Sequence, residues 1–173
     1  AVVVLDPRDG SVLALASNPS YDPSQFVNGI PTALFHQLND PRANQPLEDR
    51  ATSGLYAPGS TFKLITATAA LTKGLITPGS TVHDTGSLKV GGQVFHNSGG
   101  YSYGTINLTR AITVSSDVFF YTLGANFWNA RSQYGLAIQD MAKQYGLGQP
   151  TGIAVGGEAS GRVPGPDERK KLH

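Results

Sequence analysis

The sequence predicts a mixed α/β chain of the α+β type, because its strand-forming and helix-forming segments lie in different regions. Residues 1–16 contain two runs rich in valine and leucine on either side of Asp-Pro-Arg-Asp-Gly, the pattern of a β-hairpin. Residues 107–145 instead place apolar side chains at helical spacing. No internal repeat is present, and 173 residues are enough for one domain with a hydrophobic core.

An isolated β-hairpin is only marginally stable unless further strands or a helix cover it. We expect the helical segments to supply part of this cover, and we expect later strands of the same sheet to be absent from this chain. The sequence starts inside the first predicted strand. We therefore also expect the protein to continue before Ala1.

The remaining elements follow the hairpin in a simple order. Residues 17–58 are rich in proline, asparagine and aspartate and carry one short helical patch. Residues 75–104 are glycine-rich, and they predict a loop with small strands such as Ser87-Leu88-Lys89-Val90. The chain from Leu147 has no periodicity. The predicted helices are residues 33–38, 60–73 (closed by Gly74), 107–114, 117–127 and 132–145 (ending at Gly146).

Composition excludes several classes of function. The net charge is +1, so no electrostatic surface for nucleic acid is predicted. The basic run at residues 168–171 is short and predicts a solvated tail. The chain has no cysteine, which excludes disulfides, thiolate chemistry and cysteine-bound zinc. No apolar run reaches the length of a membrane span, and no signal peptide is present in the sequence.

The stretch GLYAPGSTFKLITATAA, residues 54–70, contains two motifs that predict different chemistry. A phosphate-binding P-loop needs a lysine directly after its second glycine and a buried strand before the loop. Here Ser60 follows Gly59, Lys63 comes three residues later, and the preceding residues 48–53 are polar. The nucleotide-binding interpretation therefore fails on both requirements.

Ser60 and Lys63 have the spacing of two residues on one face of a helix. A hydroxyl at the start of a helix meets the positive end of the dipole, which favours developing negative charge. Serine becomes a nucleophile when a base takes its proton, and lysine is a base only when neutral. Burial would have to favour the neutral amine. The alternative is a helix-capping serine followed by a solvent-facing lysine, and a four-residue motif alone does not decide between them.

Five segments together resemble the transpeptidase domain of class B penicillin-binding proteins, and most closely the elongation-type, penicillin-binding protein 2-like members. The resemblance implies the penicillin-binding/β-lactamase-like transpeptidase fold, here as the N-terminal hairpin of the central sheet plus the helical subdomain. These segments are AVVVLDPRDGSVLALASNPSYDPSQF, NQPLEDRATSGLYAPGSTFKLITATAAL, GLITPGSTVHDTG, NLTRAITVSSDVFFYTLG and YGLGQPTGIAVGGEASG. Serine, two residues and lysine, together with a second serine-containing motif, form part of the signature of this superfamily.

The resemblance implies catalytic roles for Ser60, Lys63, Ser115 and Asp117, and substrate contacts for Ser60, Ser115 and Asp117. Ser60 would attack the penultimate D-alanine of a stem peptide, and its backbone N–H would form half of an oxyanion hole. Lys63 would accept the serine proton, and Ser115 would pass protons to the leaving amine and from the incoming amine. Asp117 stands where many relatives have asparagine.

Two interpretations of Asp117 stay open at this stage. Aspartate is a preferred N-cap, so the first interpretation is that Asp117 only caps the helix that starts with Val118. Alternatively, Lys63 and Asp117 titrate as a coupled pair and pass a proton between them when substrate binds. The bulky run Phe119, Phe120 and Tyr121 is expected to fill the helical core.

No metal and no cofactor are predicted. Some relatives carry a metal set of two aspartates, a histidine and a cysteine before the second motif, and the matching positions here are Asp84, Asn97, Tyr103 and Ser116. The four histidines show no metal-binding spacing, and we expect surface or loop positions for His36, His83, His96 and His173. Tyr101 and Tyr103 are expected either to line a substrate groove or to anchor their loop.

The third motif of the family, Lys-Thr-Gly or Lys-Ser-Gly, does not occur in these 173 residues. We therefore expect the chain to be the N-terminal and helical part of one transpeptidase domain that is truncated before this motif. The main interpretation is a peptidoglycan D,D-transpeptidase that β-lactams inhibit. The alternatives are a D,D-carboxypeptidase or serine β-lactamase, or a β-lactam-sensing or structural module without turnover.

The resemblance also implies partners and a location. The expected substrates are peptidoglycan stem peptides, and the expected inhibitors are β-lactams. The expected protein partner is a membrane glycosyltransferase of the cell-wall elongation machinery. The intact protein would lie on the extracytoplasmic face of the cell membrane, held by an N-terminal anchor outside this sequence.

Overall fold

The computed structural model describes residues 1–166, which divide into two compact units. The first unit consists of Ala1–Tyr56 and Pro150–Gly161, and the second contains Ala57–Gln149 with the described residues from Arg162 onward. The assignment of residues 1–173 to part of one transpeptidase domain stays a prediction. The basic run at 168–171 and His173 lie outside the described residues.

The first unit contains the predicted hairpin and one helix. Strands β1 (Val2–Leu5) and β2 (Val12–Ala16) pair antiparallel, with a register shift between Val4 and Leu5. Gly10 has a φ of +79° in the connecting turn, a conformation that glycine adopts at little cost. Helix α1 (Thr32–Asn39) confirms the short helical patch.

Local hydrogen bonds hold two carboxylates of the first unit. The Arg8 side chain donates to Asp6 and lowers the pKa of that carboxyl below its ordinary value. Hydrogen bonding from Thr151 lowers the pKa of Glu158 in the same way.

The second unit is built around helices. Its helices are α2 (Lys63–Thr72), α3 (Leu108–Thr113), α4 (Asp117–Asn129), α5 (Arg131–Tyr134) and α6 (Ala137–Gln144). Ala69 and Ala70 of α2 are fully buried, because small side chains allow α4 and α6 to pack closely against this helix. Phe119 and Leu123 of α4 fill the centre of the core at 0% and 1% exposure. Burial of one such side chain contributes about 1.5–3 kcal/mol.

Two small antiparallel sheets precede α3. Strand β3 (Thr81–Asp84) pairs with β6 (Gly104–Asn107), and β4 (Ser87–Val90) forms a hairpin with β5 (Gln93–His96). The strand predicted at Ser87–Val90 is confirmed. The β3–β6 pair was not predicted, and it places Asp84 opposite Gly104 at the end of the ladder.

Two predictions for the second unit are wrong. Residues 132–145 form parts of two helices rather than one, because the chain breaks at Gly135, where φ is +63° and ψ is −134°. Phe119 and Phe120 are buried as predicted, but Tyr121 is 42% exposed and its ring packs on Phe95 at 4.9 Å between centroids.

Across residues 1–166, every helix is too short or too polar to cross a membrane.

Candidate active site

Ser60 lies in the first turn of a helix, as predicted. The segment Gly59–Phe62 is a 3₁₀ turn that continues directly into α2. Gly59 has a φ of +58°, which lets the chain turn into the helix after Pro58. Ser60 is exposed, and its N–H belongs to the first turn, where helix N–H groups have no acceptor within the helix. The positive end of the helix dipole therefore faces solvent at this serine.

The Lys63 ammonium is held by three oxygen atoms. Its Nζ donates to the Ser115 carbonyl at 2.7 Å and to Ser115 Oγ at 2.9 Å. It also forms an ion pair with Asp117 Oδ1 at 2.7 Å. The side chain is 14% exposed and lies 5.8 Å from the centre of the Phe120 ring. The alternative of a solvent-facing lysine is therefore wrong.

Ser115 connects Ser60 to Lys63. Its Oγ donates to Ser60 Oγ at 3.0 Å and accepts from Lys63 Nζ at 2.9 Å. A direct contact between Lys63 and Ser60 was expected, but no hydrogen bond joins these two side chains within the described residues. A hydroxyl is both donor and acceptor, so rotation of two hydroxyl protons gives a continuous path from Ser60 to Lys63.

Ser115 has an unusual backbone for a residue with a side chain, at a φ of +55°. It directly follows the cap of α3, where Ser116 N–H donates to Ala111 C=O and Ser115 N–H donates to Ile112 C=O. This is the Schellman arrangement, whose left-handed position is usually glycine. A non-glycine residue there costs about 1–3 kcal/mol, and such strain concentrates at functional sites. The strained backbone places the Ser115 hydroxyl between Ser60 and Lys63.

Asp117 does not cap α4, so the capping interpretation is wrong. The cap is Ser116, whose Oγ accepts from Phe119 N–H at 3.0 Å. Asp117 is the first helical residue, and its carboxylate contacts Lys63 through Oδ1 and accepts from Ser98 N–H through Oδ2 at 3.2 Å. The ion pair is the contact that a coupled Lys63–Asp117 pair requires.

The residues at the matching metal positions do not fit a metal ion. The Asp84 carboxylate is surrounded by hydrogen-bond donors, which are Gly86 N–H, the Asn97 amide nitrogen and the Ser116 hydroxyl. A metal needs acceptor atoms facing it, whereas Asn97 and Ser116 turn their donors toward Asp84. Tyr103 packs against the hydrophobic core instead. Within residues 1–166 no group of three or more metal-ligating acidic or histidine side chains is assembled.

The other candidates occupy ordinary positions. The side chains of His36, His83 and His96 are exposed, and His83 Nδ1 hydrogen-bonds Thr105 Oγ1 at 3.0 Å. Tyr101 is 66% exposed, whereas Tyr103 is partly buried against the core. Tyr103 therefore anchors its loop, as one of the two interpretations expected.

The fold and the site together define a class of protein. An exposed serine at a helix start, a lysine one turn later, and a second serine that links them match part of the sequence signature of penicillin-binding proteins and class A β-lactamases. Residues 1–171 match the protein-family profile described as the penicillin binding protein transpeptidase domain. The chain belongs to this family.

Individual relatives agree with this assignment. Peptidoglycan D,D-transpeptidase MrdA of Haemophilus influenzae is 39% identical over 175 residues, which is 100% of this chain and 26% of that protein. Pseudomonas aeruginosa PBP2 in complex with WCK 5153 superposes with a TM-score of 0.82 at 35% identity, covering 98% of this chain and 38% of that chain.

A third similarity is to a chain of a peptidoglycan synthase complex, solved to address how polymerisation and crosslinking are coordinated. Its TM-score is 0.81 at 34% identity, covering 98% of this chain and 28% of that chain. This chain thus spans about a quarter of the length of the curated relatives it matches. The predicted transpeptidase fold, present in part, is confirmed.

Proposed function

We propose that the protein containing this chain is a serine-type peptidoglycan D,D-transpeptidase that cross-links stem peptides through an acyl-enzyme. The observation that carries the proposal is the connected set Ser60, Ser115, Lys63 and Asp117, in which each polar atom lies within 3.0 Å of the next. Family membership and the activity in the names of the curated relatives support the same reaction.

We assign one role to each of the side chains of Ser60, Ser115 and Lys63. Ser60 Oγ bonds to the carbonyl carbon of the penultimate D-alanine, and its proton passes through the Ser115 hydroxyl to Lys63. The peptide C–N bond then breaks, and the leaving amine of the terminal D-alanine takes a proton back from Ser115. A second stem-peptide amine attacks the ester, gives up its proton along the same path, and Ser60 recovers its hydroxyl. Proton transfer of this kind contributes about 10²- to 10⁴-fold to a rate.

Lys63 must lose a proton before it can accept one from Ser60. In the resting site its ammonium is paired with Asp117 at 2.7 Å. We propose that Asp117 takes up this proton when substrate covers the site. The 2.7 Å contact gives a direct path for this transfer between Lys63 Nζ and Asp117 Oδ1.

Acylation by benzylpenicillin tests the function. The intact mass of the protein is expected to increase by one penicilloyl group, and the Ser60→Ala variant is expected to keep its original mass. The measurement is made on this chain and on the full-length protein. The absence of an adduct on the full-length protein would exclude the acyl-enzyme mechanism. An adduct that water removes within seconds would instead favour a β-lactamase.

Replacement of Asp117 by asparagine is expected to lower the rate of acylation and to change its pH profile. The reason is that Lys63 loses the carboxylate proposed to take up its proton, while an asparagine oxygen can still accept from Ser98 N–H. The measurement is the acylation rate constant against pH, beside Asp140→Asn, which changes an exposed carboxylate of α6. A profile identical to that of the parent protein would rule out the coupled pair.

We further propose that the substrates are stem peptides, that β-lactams acylate Ser60, and that the protein acts with a membrane glycosyltransferase. One observation supports this partner: a similar chain belongs to a peptidoglycan synthase complex that coordinates polymerisation and crosslinking. The site of action proposed is the outer face of the cytoplasmic membrane, where peptidoglycan is assembled. Co-purification of the full-length protein with a glycosyltransferase partner would support this assignment.

A further inference from the structure

A cluster of three buried polar residues lies directly behind the second motif. Asp84 and Ser116 are fully buried and Asn97 is 4% exposed, and they come from β3, from the start of α4 and from the segment after β5. Unpaired polar groups at such positions are costly, so their hydrogen bonds must be nearly complete. We define these three residues as the Asp84 cluster.

Every contact of the Asp84 carboxylate is a donated hydrogen bond. Oδ1 accepts from Gly86 N–H at 2.8 Å and from Asn97 Nδ2 at 2.9 Å. Oδ2 accepts from Asn97 Nδ2 at 2.9 Å and from the Ser116 hydroxyl at 2.5 Å. The carboxylate is therefore saturated by groups of the chain itself.

The orientation of the Asn97 amide follows from its other contacts. Its Oδ1 accepts from Val118 N–H at 2.9 Å, so the nitrogen must face Asp84 and also donates to Tyr101 C=O at 2.8 Å. Gly86 keeps the backbone close, because a Cβ there would lie 3.0 Å from Gly100 C=O. A donor nitrogen directed at the carboxylate is incompatible with a metal ion between them.

The Asp84 cluster holds both sides of the catalytic segment. Ser116 stands between Ser115 and Asp117 in the chain, and its hydroxyl joins Asp84 while capping α4. Asn97 fixes Val118 N–H, and the next residue, Ser98, donates its N–H to Asp117. The left-handed backbone of Ser115 and the carboxylate of Asp117 are thus tied to one buried anchor.

We propose that Asp84 is a positioning residue, which holds Ser115 and Asp117 against Lys63 through Ser116 and Asn97 without any metal. The proposal rests on the proposed acyl-transfer function, because the effect of each Asp84 variant is measured as a change in the rate of Ser60 acylation. Misplacement of a reacting group by about 1 Å can cost about 100-fold in rate. Loss of the anchor is therefore expected to lower the rate of acylation rather than to remove the nucleophile.

The test compares Asp84→Asn and Ser116→Ala with the parent protein and with Asp140→Asn, all as full-length proteins reacting with benzylpenicillin. Asp84→Asn is expected to lower the acylation rate constant about 10- to 100-fold. Ser116→Ala leaves Asp84 its bonds from Gly86 and Asn97, so this variant is the milder one, with an expected loss of about 10-fold. Asp140→Asn is expected to keep the parent rate.

The amplitude of acylation separates positioning from simple unfolding. A purely structural role lowers the fraction of molecules that react and the Tm, but leaves the rate constant of the reacting fraction unchanged. Positioning lowers the rate constant itself at a temperature where the variant is folded. The losses in the double variant Asp84→Asn/Ser116→Ala are expected to be less than additive, because both substitutions disturb the same Ser116–Asp84 hydrogen bond. Only the bond from Phe119 N–H, which Ser116 accepts as the cap of α4, is lost separately.

Each outcome decides a different claim. If Asp84→Asn and Ser116→Ala acylate at the parent rate, the positioning role is overturned. If the parent protein forms no adduct, the proposed function fails, whatever the variants do. Treatment with a chelator such as EDTA is expected to leave both the parent rate and the Tm unchanged, and a fall in either would overturn the metal-free assignment.

Discussion

Replacement of Lys63 by methionine is expected to slow the acylation of Ser60 by about 10³- to 10⁴-fold. The amine is the group to which the Ser60–Ser115 path leads, and methionine offers no proton acceptor of comparable strength. Methionine has a similar length and keeps contact with the Phe120 ring, so packing changes little. The rate constant for penicilloyl formation, measured by stopped-flow or quenched mass spectrometry, checks this expectation.

The matched control is Lys73→Met, which changes an exposed lysine at the C-terminal end of the same helix. This variant is expected to react at the parent rate. Lys63→Met also leaves Asp117 without its cation, so the free energy of unfolding should be measured in parallel. A Lys63→Met protein that is folded and acylates within tenfold of the parent would show that another group is the base.

The sequence was sufficient to predict the parts of the site that depend on local chemistry. Pro58 and Gly59 predicted a helix start at Ser60, and the three-residue spacing placed Lys63 on the next turn. The hairpin and the strand at Ser87–Val90 also follow from local patterns, which is why they were confirmed. These features depend on neighbours in sequence, and their physical causes can be read directly from it.

The connections between distant segments could not be predicted in the same way. Ser115 reaches Ser60 across 55 positions, and its left-handed backbone occurs at a serine where sequence rules expect glycine. Capping of α4 was one of the two interpretations of Asp117, although Ser116 is the cap, because both residue types are good N-caps and only tertiary contacts decide between them. Asp84 and Asn97 carry no local signal of burial, since polar residues are usually exposed.

The last expectation concerns Ser115, where replacement by alanine or by glycine should lower activity equally but should change stability by different amounts. Ser115→Ala and Ser115→Gly both remove the hydroxyl that joins Ser60 Oγ to Lys63 Nζ, and acylation should fall about 10²- to 10³-fold in each. The Ser115 carbonyl still accepts from Lys63 in both variants, so the lysine keeps this anchor. Only glycine relieves the strain at a φ of +55°.

Ser115→Gly is therefore expected to be more stable than Ser115→Ala by about 1 kcal/mol, because alanine in a left-handed conformation keeps the steric cost that glycine avoids. Thermal or denaturant unfolding of the two variants measures this difference, and the lost hydroxyl cancels because both lack it. A Ser115→Gly protein that acylates at the parent rate would remove Ser115 from the proton path. If Ser115→Ala proved to be the more stable variant, the left-handed backbone of Ser115 would carry no steric cost. The claim that this conformation lowers the stability of the parent protein would then be wrong.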